Sequence, residues 1–174
     1  MDTVQLTQLI RDVPDFPQPG ILFRDITTVL RDPSAFRYAI DTLAQRFKER
    51  DVDLIVGMES RGFIFGAPLA YILGAGFVPV RKKGKLPAET LSVEYALEYG
   101  VAELEIHKDA IRPGQKVLIV DDLLATGGTV NATIQLVEAL GGKVSAVAFL
   151  IELGFLDGRA KIGSQYETLS IIQY

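Results

Sequence analysis

Short, nearly continuous apolar segments alternate along the chain with longer segments whose apolar residues recur at helical spacing. We predict strands over the apolar segments, which are residues 53–58, 77–80, 116–122, 144–151 and 167–173. Helices are predicted over the amphipathic segments, which are residues 3–12, 33–50, 63–73 and 127–141. Strands that are apolar throughout are typical of a parallel sheet with both faces covered. The pattern therefore predicts an α/β fold with a doubly wound, mainly parallel sheet flanked by helices.

The remaining segments fit this alternation less well. Residues 1–30 and the final segment fall outside it, and we expect them to form a subsidiary cap, whose N-terminal part is called the hood below. Residues 88–100 are compatible with a hairpin or with an ordered loop, whereas residues 101–111 are expected to be extended and then helical. Residues 154–163 are expected to form a polar loop or a short helix. All 174 residues are assigned to a single domain, with a mobile lid loop at about residues 83–98.

Composition and charge exclude several classes of protein. The net charge of −4 argues against nucleic acid as the main partner, and one histidine leaves no multi-histidine metal site. No apolar stretch approaches the roughly 18 residues of a membrane span. The N-terminus lacks the basic start and apolar run of a secretory signal. Together with the absence of cysteine, these features predict a cytoplasmic protein without a membrane partner.

The segment Lys116–Val130 carries the strongest chemical signal. An apolar run ends in two adjacent carboxylates, Asp121 and Asp122, and a loop of small and hydroxylated residues precedes the next helix. The loop residues are Ala125, Thr126, Gly127, Gly128 and Thr129. Glycines permit close backbone approach, and amides at a helix start face an anion. The carboxylates can accept hydrogen bonds from ribose hydroxyls, directly or through hydrated Mg²⁺. The combination predicts a site for a phosphorylated sugar.

Two further polar segments follow predicted strands. The first comprises Glu59, Ser60, Arg61 and Gly62. The second is a basic run that includes Arg81, Lys82 and Lys85. Ligands bind at the carboxyl ends of strands in open α/β sheets, so both segments are candidates for a second anion site. The alternative is a solvated turn with surface charges. Phe23, after a segment rich in proline and glycine, is either a core anchor or a ring that stacks on a base.

These motifs resemble those of the type I phosphoribosyltransferases, which use 5-phosphoribosyl 1-pyrophosphate (PRPP). Val117–Thr129 is similar to the PRPP signature of that family. Four further motifs follow in the order and spacing of the family members that act on adenine: Phe23–Ile26, Glu59–Phe63, Arg81–Pro87 and Leu97–Gly100. The resemblance covers roughly residues 15 to 174. It also implies a cis peptide bond in the Glu59–Gly62 loop, although none of these residues is a proline.

The resemblance implies a role for each motif. Residues Ala125, Thr126, Gly127, Gly128 and Thr129 would hold the 5′-phosphate, and Asp121 and Asp122 would bind the ribose hydroxyls and orient Mg²⁺. Pyrophosphate would contact Glu59, Ser60, Arg61 and Gly62, with Arg81, Lys82 and Lys85 approaching it across a dimer interface. Adenine would lie between Phe23 and Leu123, with the backbone near Leu22 and Arg24 contacting its edge. Glu98 would transfer the proton and, with Tyr99, close over the site.

The implied activity is the Mg²⁺-dependent pentosyl transfer that converts adenine and PRPP to AMP and diphosphate, a purine salvage reaction performed by a homodimer. Two alternatives stay open. One is the same chemistry on hypoxanthine, guanine, xanthine or orotate. The other is a non-catalytic PRPP-sensing regulator. Such regulators usually carry a DNA-binding domain ahead of the fold, and only about 30 residues without a basic helix-turn-helix precede it here. Glu98 also favours an enzyme.

Overall fold

The computed structural model describes residues 1–96 and 101–174. The helices are α1 (Thr3–Leu9), α2 (Thr27–Leu30), α3 (Pro33–Phe47), α4 (Arg61–Leu73), α5 (Gly128–Ala139) and α6 (Gly158–Ile162). The strands are β1 (Arg11–Pro14), β2 (Leu22–Asp25), β3 (Leu54–Met58), β4 (Gly76–Lys82), β5 (Thr90–Ala96), β6 (Val101–His107), β7 (Lys116–Leu124), β8 (Lys143–Glu152) and β9 (Thr168–Gln173). Helix α3 begins where the sequence predicts, because the Asp32 side chain accepts from the first free amides and Pro33 follows it.

Seven strands form one sheet in the order β5-β6-β4-β3-β7-β8-β9. Strands β4, β3, β7, β8 and β9 run parallel, whereas β6 is antiparallel to β4 and β5 is antiparallel to β6. The predicted α/β fold with a mainly parallel sheet is confirmed. From β3 the chain passes to β4 on one side, and from β7 it passes to β8 on the other. The carboxyl ends of β3 and β7 therefore flank a topological switch point, where open sheets of this kind bind ligands.

Successive residues of the central strands are buried on opposite faces of the sheet, as their uniformly apolar sequences predict. Ile55 and Leu118 pack in the core that contains α3 and α4. Their neighbours Val56 and Ile119 pack on the other face against α5. Because both faces of β3 and β7 are buried, the polar groups at their carboxyl ends are fixed to a rigid support.

The hood is built on a two-stranded antiparallel sheet in which β1 pairs with β2. It is attached to the main sheet through apolar side chains, since Leu6 of α1, Ile26 just before α2 and Val29 of α2 are buried in the same core as α3 and α4. Strand β2 is thereby held beside the carboxyl end of β7, and this places Phe23 near Leu123 at the edge of an apolar pocket.

Three expectations about the less regular segments are settled by the structure. Residues 101–111 do not become helical: β6 continues to His107 and a turn follows, because this segment pairs along its length with β5. The described part of residues 88–100 is one arm of that β5-β6 hairpin. The final segment is not part of a cap, since β9 pairs in parallel with β8 and its Ile172 is buried in the main core. In the described part of the chain, no helix is long and apolar enough to cross a membrane.

Candidate active site

The ends of β3 and β7 approach each other closely enough to form one site. A Cβ atom added at Gly62, in the first turn of α4, would lie 2.8 Å from the Val120 carbonyl oxygen and 3.0 Å from Asp121 Oδ1. Glycine therefore lets the start of α4 pack directly on the end of β7. The peptide bond between Glu59 and Ser60 is cis, as the resemblance implied. The result is a polar cleft of about 250 Å³ between the two strand ends.

The loop after β7 forms one wall of this cleft. All five predicted phosphate-loop residues line it: Ala125, Thr126, Gly127, Gly128 and Thr129. Gly127 has φ +80° and precedes the first turn of α5, a left-handed conformation that favours glycine. The free amides at the start of α5 lie at this wall, and the helix dipole adds partial positive charge there. This wall is suited to an anion such as a phosphate group.

The two carboxylates at the end of β7 give the cleft an acidic region, opposite in charge to the wall at the start of α5. Asp122 is only 3% exposed, and burial raises its pKa while the Arg61 guanidinium opposes that shift. Burial and the adjacent Asp122 carboxylate also raise the pKa of Asp121. Arg61 Nε lies 2.9 Å from Asp122 Oδ2. Oδ2 has no hydrogen-bond partner among the described residues. The contact with Arg61 is therefore an ion pair without hydrogen-bond alignment.

The orphaned Oδ2 atom fits a hydroxyl donor or a cation. Within residues 1–96 and 101–174, no cluster of three acidic, histidine or cysteine side chains could hold a metal ion by itself. A divalent cation at Asp121 and Asp122 would thus need oxygen ligands from substrate and water, as is usual for Mg²⁺. The residues present fit a cation that arrives with an anionic substrate.

The second predicted anion site is partly engaged in its own contacts. Arg81 donates from Nε and Nη2 to the Glu59 carboxylate, at 3.1 and 3.2 Å, and this lowers the pKa of Glu59. The Lys82 amide also donates to Glu59, at 3.1 Å. Of the predicted basic residues, Lys82 lines the cleft together with Glu59, Ser60 and Arg61. Arg81 contacts the Lys85 carbonyl instead, at 3.2 Å, and so braces the turn after β4.

An apolar pocket of about 190 Å³ lies next to the polar cleft. Strand β2 provides one wall with the predicted residues Leu22, Phe23 and Arg24, and Leu123 provides another. The Arg24 side chain is directed away, since it pairs with Asp12 and its guanidinium lies 3.8 Å from the ring centroid of Tyr174. Its guanidinium is therefore already engaged in contacts within the protein.

Three residues line both cavities: Arg61, Leu123 and Ala125. The Arg61 guanidinium lies 5.5 Å from the Phe23 ring centroid, so it stands at the junction of the two cavities. A ligand with a planar apolar part and an anionic part would therefore bridge them.

The structure adds residues that the sequence did not single out. Tyr95 of β5 lines the cleft, and its hydroxyl lies 3.5 Å from Thr129 Oγ1. Leu153 and Leu156 complete the apolar pocket. The signal for the leucines was present, because apolar residues directly after the β8 strand are unusual in a polar loop. Glu98 and Tyr99, predicted for proton transfer and closure, lie outside the described residues.

The comparisons with known proteins agree with this geometry. The family model of the phosphoribosyl transferase domain matches residues 25–169, so the chain belongs to the phosphoribosyltransferase family. It is an enzyme of pentosyl transfer, as the sequence motifs predicted, and membership of the family implies a divalent metal requirement. The predicted resemblance to the type I members is confirmed.

Individual relatives show which members of the family the chain resembles. The chain is 59% identical to the adenine phosphoribosyltransferase of Thermoanaerobacter pseudethanolicus over 100% of both chains. A crystal structure of the adenine phosphoribosyltransferase from that organism matches with a TM-score of 0.96 over 99% of both chains. The Saccharomyces cerevisiae adenine phosphoribosyltransferase, crystallised with an imino-altritol bisphosphate and adenine, is 44% identical, with a TM-score of 0.91 over 97% of both chains.

Proposed function

We propose that the protein transfers the phosphoribosyl group of PRPP to adenine, forming AMP and diphosphate in purine salvage. The observation that carries the proposal is the junction of two unlike cavities. An apolar pocket suited to a planar base and a polar cleft suited to a phosphorylated sugar share Arg61, Leu123 and Ala125. The full-length similarity to adenine phosphoribosyltransferases supports adenine as the base.

Adenine would lie between the Phe23 ring and the Leu123 side chain. Phe23 is held by a T-shaped contact with Phe16, with ring centroids 5.1 Å apart, and an aromatic ring at the edge of this pocket is suited to stack on a planar base. The edge of the base would contact backbone groups near Leu22 and Arg24. Backbone contacts of fixed geometry would distinguish a 6-amino purine from a 6-oxo purine, because an unmatched donor or acceptor is left unpaired.

PRPP would occupy the polar cleft. Its 5′-phosphate would lie against Ala125, Thr126, Gly127, Gly128 and Thr129, where loop amides and the start of α5 face the anion. The ribose hydroxyls would donate to Asp121 and Asp122. Asp122 Oδ2 supports this placement, since it accepts no hydrogen bond among the described residues and a buried carboxylate oxygen without one is costly.

Mg²⁺ is the divalent cation that we propose for the reaction. Asp121 and Asp122 would orient it, mainly through water, with PRPP oxygens completing its ligands. When bound it would neutralise charge on the pyrophosphate and make it a better leaving group. Residues 1–96 and 101–174 offer no third acidic, histidine or cysteine ligand beside this pair, which supports a cation that binds together with PRPP.

The leaving pyrophosphate would be held by the Glu59–Gly62 loop, Arg61 and Lys82. Arg81 and Lys85 would support that loop and approach pyrophosphate across the dimer interface. As the bond to pyrophosphate breaks, positive charge develops on the anomeric carbon, and fixed positive groups at the leaving oxygen lower the barrier. Glu98 would accept the purine proton as the base attacks, which is worth roughly 10²–10⁴-fold in rate. Tyr99 would help to close the lid (residues 83–98) over the site and exclude water.

A homodimer and a cytoplasmic location complete the proposal. The exposed apolar residues of α4 support a dimer, since Tyr71 and Ile72 are 89% and 49% exposed and large exposed apolar side chains that cluster are typical of interfaces. The absence of cysteine supports a reducing compartment. Sedimentation equilibrium tests the oligomeric state directly.

A base-competition assay tests the function. Radiolabelled adenine with PRPP and Mg²⁺ should yield labelled AMP, and excess unlabelled hypoxanthine or guanine should not reduce the yield. Equal or better turnover of another purine would move the assignment to that base. If PRPP bound tightly but no base was consumed, the alternative of a non-catalytic PRPP sensor would replace the enzyme.

A further inference from the structure

A charged cluster around a buried carboxylate, outside the proposed site, lies at the end of β8. Glu152 is 6% exposed and accepts from Arg159 Nε at 2.8 Å and from Nη2 at 2.5 Å. Ser170 Oγ and Gln173 Nε2 donate to the same carboxylate, at 2.6 and 3.3 Å. Arg159 Nη1 donates to the Thr168 carbonyl at 2.7 Å. Arg159 lowers the pKa of Glu152, so the pair is charged at neutral pH.

The Glu152–Arg159 pair closes a short loop. The chain leaves β8 after Glu152, makes a 3₁₀ turn over Gly154–Leu156 and enters α6 at Gly158. Arg159 is the second residue of α6, and its contacts to Glu152 and Thr168 tie that helix to β8 and β9. The pair therefore helps to fix the position of α6, together with the buried side chain of Ile162.

Helix α6 contacts the phosphate loop backbone to backbone. A Cβ atom added at Gly158 would lie 2.1 Å from the Ala125 carbonyl oxygen. A Cβ atom added at Gly127 would lie 2.6 Å from the Gly158 carbonyl oxygen. Neither contact leaves room for a side chain, so a displacement of α6 is transmitted to the loop without being absorbed by a flexible group.

We propose that Glu152 and Arg159 are positioning residues for the phosphate loop, acting through Gly158 of α6. This inference rests on the proposed function, because it assumes that residues 125–129 hold the PRPP 5′-phosphate. Only the Glu152 side of this ion pair is buried, since the Arg159 side chain is 42% exposed, and such a pair is weak support for net stability. The energetic cost of burying the Glu152 carboxylate is better explained by the fixed geometry that the Glu152–Arg159 pair gives to a binding loop.

The test is the effect of Glu152→Gln and Arg159→Lys on the two substrates separately. Each variant keeps the shape of the side chain or its charge, and loses part of the bidentate contact. We expect the KM for PRPP, and the Kd for PRPP measured by calorimetry, to rise about 10-fold to 100-fold, by analogy with the loss seen when residues that orient metal ligands are changed. The KM for adenine should rise less, and kcat at saturating PRPP should stay near that of the wild type.

A matched control is available at the opposite end of the sheet. Arg50 and Glu167 form a bidentate pair with contacts of 2.6 and 2.8 Å, in which the carboxylate is more exposed than that of Glu152. Glu167→Gln should leave the KM for PRPP unchanged, whatever its effect on the melting temperature. An equal rise in that control, or an unchanged PRPP affinity in folded Glu152→Gln protein, would overturn the inference.

Gly158→Ala gives an independent variant if Glu152→Gln does not fold. It leaves the ion pair in place and forces α6 away from the Ala125 carbonyl, so it should also weaken PRPP binding more than adenine binding. Wild-type affinity for PRPP in that variant would contradict the inference. Failure of the proposed function is a separate result, since the wild-type protein would then form no AMP.

Discussion

Replacement of Arg61 by methionine measures how strongly the site depends on one guanidinium. Arg61 Nε lies 2.9 Å from Asp122 Oδ2, and the Asp122 side chain is almost fully buried. Removing one partner of a fully buried pair costs about 3–5 kcal/mol. Because the Arg61 side chain is 40% exposed, solvent screens the charge and we expect a loss of about 1–2 kcal/mol in unfolding free energy at neutral pH.

The loss should depend on pH, because Asp122 can take up a proton when its partner is absent. Burial raises the pKa of Asp122 above the ordinary value of 3.8, and Arg61 opposes this shift. A carboxyl whose folded pKa is raised loses stability as the pH rises from its unfolded value to its folded one. In Arg61→Met the pKa of Asp122 in the folded protein is higher still, so the unfolding free energy keeps falling over a wider pH interval. The difference between variant and wild type should therefore be small near pH 4 and grow towards neutral pH.

Urea unfolding from about pH 4 to about pH 8 gives this difference directly. The Asp122→Asn substitution is the control, made in both the wild-type and the Arg61→Met backgrounds, since an amide cannot titrate. Between these two Asp122→Asn proteins, the difference in unfolding free energy should lose most of its pH dependence. Any remaining pH dependence reports Asp121, whose pKa Arg61 also lowers. A difference that is constant with pH, or one that is unchanged by Asp122→Asn, would refute the electrostatic account of the pair.

Three further substitutions test separate parts of the site. Gly62→Ala should lower kcat/KM at least about tenfold without unfolding, because its Cβ would press on Val120 and Asp121; near-normal activity would show that the β3 and β7 ends tolerate separation. Glu98→Gln should lose turnover by about 10²–10⁴-fold while calorimetry still detects PRPP binding, and normal turnover would remove Glu98 from proton transfer. Phe23→Ala should raise the KM for adenine with little change for PRPP, and equal effects on both would contradict stacking on the base.

Much of the sheet and of the polar cleft was predictable because their signals are local in sequence. The apolar runs before Glu59 and Asp121 mark strands buried on both faces, and the polar residues that follow each run lie at its carboxyl end. The helix expected after residue 107 was wrong because pairing with β5 decides that segment, and such pairing depends on a distant partner. The cluster around Glu152 was missed for the same reason. Its partners come from α6 and β9, and no spacing in the sequence relates them.

The two cavities of the site differ in how the fold maintains them. The polar cleft depends on strands β3 and β7, which pair with each other and are buried on both faces. The apolar pocket depends on the contact between the hood and the sheet, because its walls come from β2, the end of β7 and the turn after β8. Arg24, which pairs with Asp12 within the hood, makes that contact through its guanidinium over the Tyr174 ring, next to β9. Small shifts of the hood would therefore change the apolar pocket while leaving the polar cleft intact. Phe23→Ala tests whether the two cavities are independent, because it is expected to raise the KM for adenine with little change in the KM for PRPP.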